Sequence, residues 1–109
     1  MGRQILGQVG RIKEEKREEY IALHASPWPE IVQIIKECNM ENYSIFIRGN
    51  LVFSYYEYTG EDYDADRQKL AKDVMVQKWW AITDPCFERY DNDSAEASYE
   101  NMESIFYLK

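Results

Sequence analysis

The sequence predicts an α+β fold in which an antiparallel sheet carries helices on one face. Three observations lead there. Two stretches, Asn42–Ile47 and Leu51–Tyr58, flank Arg48-Gly49-Asn50, and the Gly-Asn pair suits a tight hairpin turn. Ile31, Ile34, Ile35 and Cys38 recur at i, i+3, i+4 and i+7, which is the core stripe of a helix. Strand-like and helix-like stretches follow one another as strand, helices, strand, strand, helices, strand.

Taken in order, Arg3–Ile12 alternates as a strand, with Ile5, Gly7 and Val9 on one face. Lys13–Ala25 reads as a highly charged helix whose less polar side carries Tyr20, Leu23 and His24. The stretch Ser26-Pro27-Trp28-Pro29-Glu30 interrupts it, because a proline does not fit a helix interior. Pro29 suits the first turn of a second helix, expected to run to about Met40. After the hairpin, Thr59-Gly60-Glu61-Asp62 resembles a helix start with acids in its first turn. A helix to about Asp73 and another over Val74–Thr83 follow. Residues Asp84–Met102 are turn-rich and irregular, and Ser104–Leu108 is expected to close the chain as the last strand. This order is the split β-α-β arrangement of ferredoxin-like folds, in a single domain spanning residues 1–109. The hairpin is apolar on both faces, with Ile45 and Ile47 on one side and Phe46 on the other. One layer of helices covers one face only, so a second copy of the chain is the expected cover, giving a homodimeric α/β barrel.

Composition narrows the function classes. A chain of 109 residues with 45% hydrophobic and 30% charged residues builds a globular core. Its net charge of −7 argues against nucleic acid and anionic membrane surfaces, which select for basic clusters. No apolar run reaches the roughly 18–20 residues of a membrane span. Residues 1–11 lack a signal-peptide core, and although Gly2 is present, Leu6 stands where an N-myristoylation site needs Ser or Thr. Cys38 and Cys86 have no CxxC spacing and are expected as buried free thiols in a reducing cytoplasm.

The chemistry-bearing residues cluster around the one histidine. His24 has an unperturbed pKa near 6.5 and so both gives and takes protons near neutrality. Tyr20, one helical turn earlier, shares its face. On spacing alone the commoner reading of His24 is a hydrogen-bonded helix-end residue. Trp28 is aimed by flanking prolines, and its commoner role is a staple between helices. Trp79 and Trp80 point about 100° apart on a helix, so one is expected in the core and the other along a cleft. Indole faces stack on sugar C–H surfaces and on cations. Tyr43 opens a strand, where cross-strand packing is the default and a pocket position the alternative. The acids Glu61, Asp62, Asp64 and Asp66 lack the pattern of a calcium loop, and one His with two scattered Cys does not suggest zinc or iron. No phosphate loop or catalytic triad is written in the sequence.

Together, EEY…H…WPE, NYSIFI…NLVF, the WW pair and the terminal IFYL resemble the L-rhamnose mutarotase family from about Gln8 to Leu108. The resemblance implies a small, cofactor-free cytoplasmic enzyme with a dimeric ferredoxin-like fold that interconverts sugar anomers. It implies that His24 is the proton donor and that Tyr20, Tyr43, Trp79 and Trp80 contact the monosaccharide. Trp28 and Asp84 are further pocket candidates, and no metal is expected. After the tryptophan pair the chain departs from the family's pattern, through Ala81–Tyr90 and above all at Asn92–Asn101, so the resemblance leaves the choice between L-rhamnose, L-fucose and related 6-deoxyhexoses open. Two other readings stand beside it: a non-catalytic sugar-binding module, and a cofactor-free oxygenase or haem-degrading enzyme on the same kind of barrel.

Overall fold

The computed structural model describes residues 3–109; the Gly2 position considered above lies outside them. Strand β1 (Gln4–Ile12) leads through a 3₁₀ turn at Glu14–Lys16 into helix α1 (Arg17–Ala25), and α2 (Pro29–Glu37) follows. Strands β2 (Met40–Arg48) and β3 (Leu51–Tyr58) form the hairpin, then come helices α3 (Tyr63–Lys72) and α4 (Val74–Thr83). A 3₁₀ turn at Asp84–Cys86 precedes the short strands β4 (Phe87–Glu88) and β5 (Glu100–Met102). The strands run β2-β3-β1-β4, all antiparallel, with β5 also pairing with β1. This is the ferredoxin-like α+β arrangement read from the sequence.

The termini of the elements have local causes. Pro29 occupies the first turn of α2, and Asn39 takes a left-handed conformation (φ 64°) that ends the helix short of the expected Met40. Gly49 supplies the positive φ of the hairpin turn. The Asp62 carboxylate accepts from Ala65 N–H at 3.0 Å to cap α3. Asp73 caps α4 in the same way, accepting from Met75 and Val76 N–H at 2.9 and 3.1 Å.

Two positions shape the sheet. Gly10 lies where a Cβ would come within 2.8 Å of the Phe87 ring, so its bare backbone lets β4 and its aromatic close over β1. In the β2–β3 ladder, Glu41 opposes Glu57 but Ser44 opposes Tyr55, so β2 carries one extra residue, with Asn42 at φ 51°. That bulge reverses the alternation. Met40 before it and Tyr43, Ile45 and Ile47 after it all face the helices; without it the last three would face outward.

The helix-facing side of the sheet holds two apolar clusters. One joins Ile31, Ile34, Cys38, Met40, Tyr56, Tyr58, Leu70, Val76 and Trp79; the other joins Ile12, Tyr20, Val52, Cys86 and Phe87. Both cysteines are free and buried. The opposite face presents Phe53 beside Phe46, which is 65% exposed.

The expected last strand at Ser104–Leu108 is not one. The strand pairing with β1 lies earlier, at Glu100–Met102, where the Asn101 side chain accepts from Gln8 Nε2 at 2.9 Å and the Ser94 hydroxyl donates to Glu100. These side-chain bonds fix the register before the apolar run begins. Residues 103–109 have no regular structure, and Ile105, Phe106 and Leu108 are 80–90% exposed.

Candidate active site

His24 stands in the last turn of α1, at the seam between the two apolar clusters. Its ring lies 4.3 Å from that of Tyr20, in one cluster, and 5.5 Å edge-on to that of Trp79, in the other. Its Nδ1 is 2.8 Å from the main-chain carbonyl of Tyr20. A carbonyl only accepts, so Nδ1 carries the hydrogen and the lone pair of the neutral ring is on Nε2. Burial lowers the imidazole's pKa below 6.5, opposed by the carbonyl bond, which favours the charged form. The ring is therefore a neutral base at physiological pH.

Around it the aromatic side chains form a continuous wall. Trp28 meets Trp79 edge-on at 5.2 Å, Tyr20 meets Phe87 at 5.5 Å, and Phe87 meets Tyr99 at 5.1 Å. The phenols of Tyr20 and Tyr99 share a hydrogen bond of 3.0 Å. Burial raises the pKa of both far above the ordinary phenol value, so both remain protonated at any physiological pH. Tyr43 stacks on Tyr56 at 4.9 Å; the residue is 39% exposed, yet its phenol end is turned in beside Ser54, and burial raises its pKa.

A cavity of about 850 Å³ opens between α2 and β2, walled by His24, Trp79, Tyr43, Ile31, Val32 and Ile45 among others. Its lining is mostly apolar with a few polar groups, the usual character of a small-molecule site. Below Tyr43 a line of polar side chains crosses the sheet. The Ser54 hydroxyl donates to Gln8 Oε1 at 3.4 Å, and Gln8 donates on to Asn101.

Of the residues singled out in the sequence, His24, Tyr43 and Trp79 line the cavity, while Tyr20 packs on His24 and Trp28 on Trp79 without lining it. Trp80 and Asp84 do not line the cavity. Trp80 is half-buried and packs against the larger apolar cluster. Asp84 follows α4, where burial and the neighbouring Glu96 raise its carboxyl pKa, and its charge is felt at the Tyr20 phenol. Sequence reasoning missed Tyr99 and the line from Ser54 to Asn101. The one available signal was the alternation through Tyr99–Met102, hidden in a turn-rich stretch. Among the described residues no group of three His, Cys, Asp or Glu side chains is placed to hold a metal ion, and no helix is long and apolar enough to cross a membrane.

Comparison with known proteins agrees with this architecture. The chain is 30% identical over 105 residues to the L-rhamnose mutarotase of Lactiplantibacillus plantarum, covering 94% of this chain and 96% of that one. It is 32% identical over 94 residues to the L-rhamnose mutarotase of Listeria monocytogenes, covering 84% and 86%. The crystal structure of L-rhamnose mutarotase from Formosa agariphila superposes with a TM-score of 0.75 at 24% identity, over 97% of this chain and 99% of that one, which is a likeness of fold. The profile of the L-rhamnose mutarotase family matches residues 6–108, and the chain belongs to that family of isomerases.

Proposed function

We propose that this chain interconverts the α and β anomers of L-rhamnose, or of a related 6-deoxyhexose such as L-fucose, by acid/base ring opening. The observation that carries the reading is the fixed tautomer of His24, whose basic Nε2 belongs to a ring on the wall of an aromatic-lined cavity. In the forward step Nε2 takes the proton of the C1 hydroxyl. The electrons form the C1 carbonyl, the C1–O5 bond breaks, and O5 receives a proton from a phenol. Tyr20, held protonated by burial and backed by Tyr99, is the donor in this scheme. Rotation about C1–C2 and the reverse proton transfers close the ring on the other face. One positioned base and one positioned acid each supply roughly 10²–10⁴ in rate, enough for a reaction that already proceeds slowly in water. Trp79 and Trp28 offer indole surface to the sugar's C–H faces and its methyl group.

The working unit is a homodimer in this reading. The outward Phe46, Phe53 and Tyr55 of the sheet and the exposed Ile105, Phe106 and Leu108 are apolar surface that a second copy would bury. Two free buried thiols fit a reducing, cytoplasmic setting.

The test is saturation-difference NMR on L-rhamnose. Irradiating one anomeric proton and watching the other reports exchange directly. Enhanced transfer that His24→Ala abolishes supports the reading. Quenched tryptophan fluorescence without faster exchange would identify a sugar-binding module instead, and oxygen consumption with an aromatic substrate an oxygenase.

A further inference from the structure

The helix-facing side of the sheet is apolar at both ends and polar across its middle. On β3 the inward residues run Val52, Ser54, Tyr56, and on β1 they run Leu6, Gln8, Gly10, Ile12. Ser54 opposes Gln8, and Gln8 opposes Asn101 on β5, so three polar side chains stand in one row across three strands. Their bonds, Ser54 to Gln8 and Gln8 to Asn101, separate the cluster containing Met40, Tyr56 and Trp79 from the cluster containing Ile12, Val52 and Phe87.

A row of this kind is costly where Val or Leu would join the two clusters into one core. Ser54 is 2% exposed, and the row gains little from its own bond at 3.4 Å. Its hydrogen-bonding capacity is also incompletely used. An amide side chain has two N–H donors and a carbonyl oxygen with two lone pairs. Gln8 gives one N–H to Asn101 and accepts once from Ser54, leaving one donor and one acceptor site. The Asn101 amide N–H groups have no partner among the described residues. In the proposed scheme Tyr99 donates to Tyr20, whose own O–H serves O5, so Tyr99 adds a spare acceptor lone pair to the row. Alternating spare donors and acceptors match a ligand bearing several neighbouring hydroxyls. The row lies behind the cavity wall rather than on it: Tyr43, which lines the cavity with His24, has its phenol end beside Ser54 and stands between the two.

We infer that Ser54, Gln8 and Asn101, with Tyr99, form the hydroxyl-reading floor of the sugar site and decide which epimer is accepted. This rests on the proposed mutarotase reading and deepens it: His24 and the indoles handle the anomeric centre and the apolar face, while this row sorts the remaining hydroxyls. A polar group left unpaired by the wrong epimer is what gives such a row its discrimination.

The experiment compares kcat/KM for anomer exchange on L-rhamnose, L-fucose and their epimers in the unmodified protein, Gln8→Met and Asn101→Ala. Asn101 is exposed at the sheet margin, so its variant keeps the test open should Gln8→Met fail to fold. Tryptophan-fluorescence titration with the same sugars runs in parallel. The inference expects the preference between the best and next-best epimer to change by at least about tenfold in a variant whose circular dichroism matches the parent. Unchanged preferences in folded variants would overturn it and leave the mutarotase reading standing. Absence of exchange in the unmodified protein would overturn that reading instead, with the floor then judged by epimer preference in the fluorescence titration. Binding of none of these sugars would overturn both.

Discussion

His24 donates its Nδ1 hydrogen to the carbonyl of Tyr20, one turn back on the same helix, at 2.8 Å. The bond does in one step what a separate orienting carboxylate does in many acid/base sites. It fixes the ring's tautomer without adding a charge beside it, so only the carbonyl bond itself opposes the burial that keeps the imidazole neutral, and burial prevails.

The pH dependence follows from that. In the proposed mechanism the active base is the unprotonated ring, and because its pKa is lowered, proton uptake is expected to abolish exchange only below the 6.5 of free imidazole. After subtraction of the spontaneous rate, kcat/KM should rise through an acid limb centred below 6.5 and stay flat through neutrality. The Tyr20 phenol, raised above 10, keeps its proton there, so no alkaline fall is expected below pH 10. An acid limb centred above 6.5 would contradict a neutral, buried base.

The tryptophan pair should divide its labour. Trp79 meets both His24 and Trp28 edge-on, and each such aromatic pair contributes about 0.5–1.5 kcal/mol. Trp79→Phe is expected to raise KM several-fold with a folded protein, whereas Trp80→Phe, away from the cavity, should leave KM nearly unchanged. Steady-state kinetics over a range of sugar concentrations decides, and equal effects at both positions would refute the division.

Association is predicted to run through the outward sheet face. Light scattering should give twice the 13.0 kDa chain mass for the unmodified protein at micromolar concentration. Phe46→Glu, which puts a charge on that face, should shift the species towards one chain. A monomeric parent protein would dispose of the dimer.

Stability should depend on Asp73, whose carboxylate satisfies two free N–H groups at the start of α4. Asp73→Ala is expected to lower unfolding free energy by about 0.5–2 kcal/mol, seen as a lower thermal midpoint. An unaltered midpoint would mean that the helix is held by packing alone.

The parts of the site legible in the sequence were those written locally. Tyr20 and His24 are one turn apart on one helix, so their shared face needed no tertiary information. Tyr43 was harder: simple alternation from Met40 would aim it outward, and only the extra residue at the bulge turns it in. The row Ser54, Gln8 and Asn101 draws on three strands far apart in the chain, and no short-range pattern announces it. Trp79 and Trp80 could be told to differ but not which faced the cavity, because that depends on how α4 is rolled against α2. The terminal run misled for a related reason. Ile105–Leu108 reads as a strand because it is apolar, and periodicity does not say whether the neighbour that would bury it belongs to the same chain.

The bulge in β2 has a reach beyond the pocket. β2 is the outermost strand on its side of the sheet, with main-chain groups available to any extended segment that arrives. A regular edge is a template for runaway polymerisation, and a kink with one residue out of step breaks the template. Straightening the strand at Asn42 would thus do two things at once, turning Tyr43 away from the cavity and leaving a newly adhesive border. The solubility of the edge and the shape of the cavity wall are tied to the same residue, which narrows the routes by which this edge can evolve.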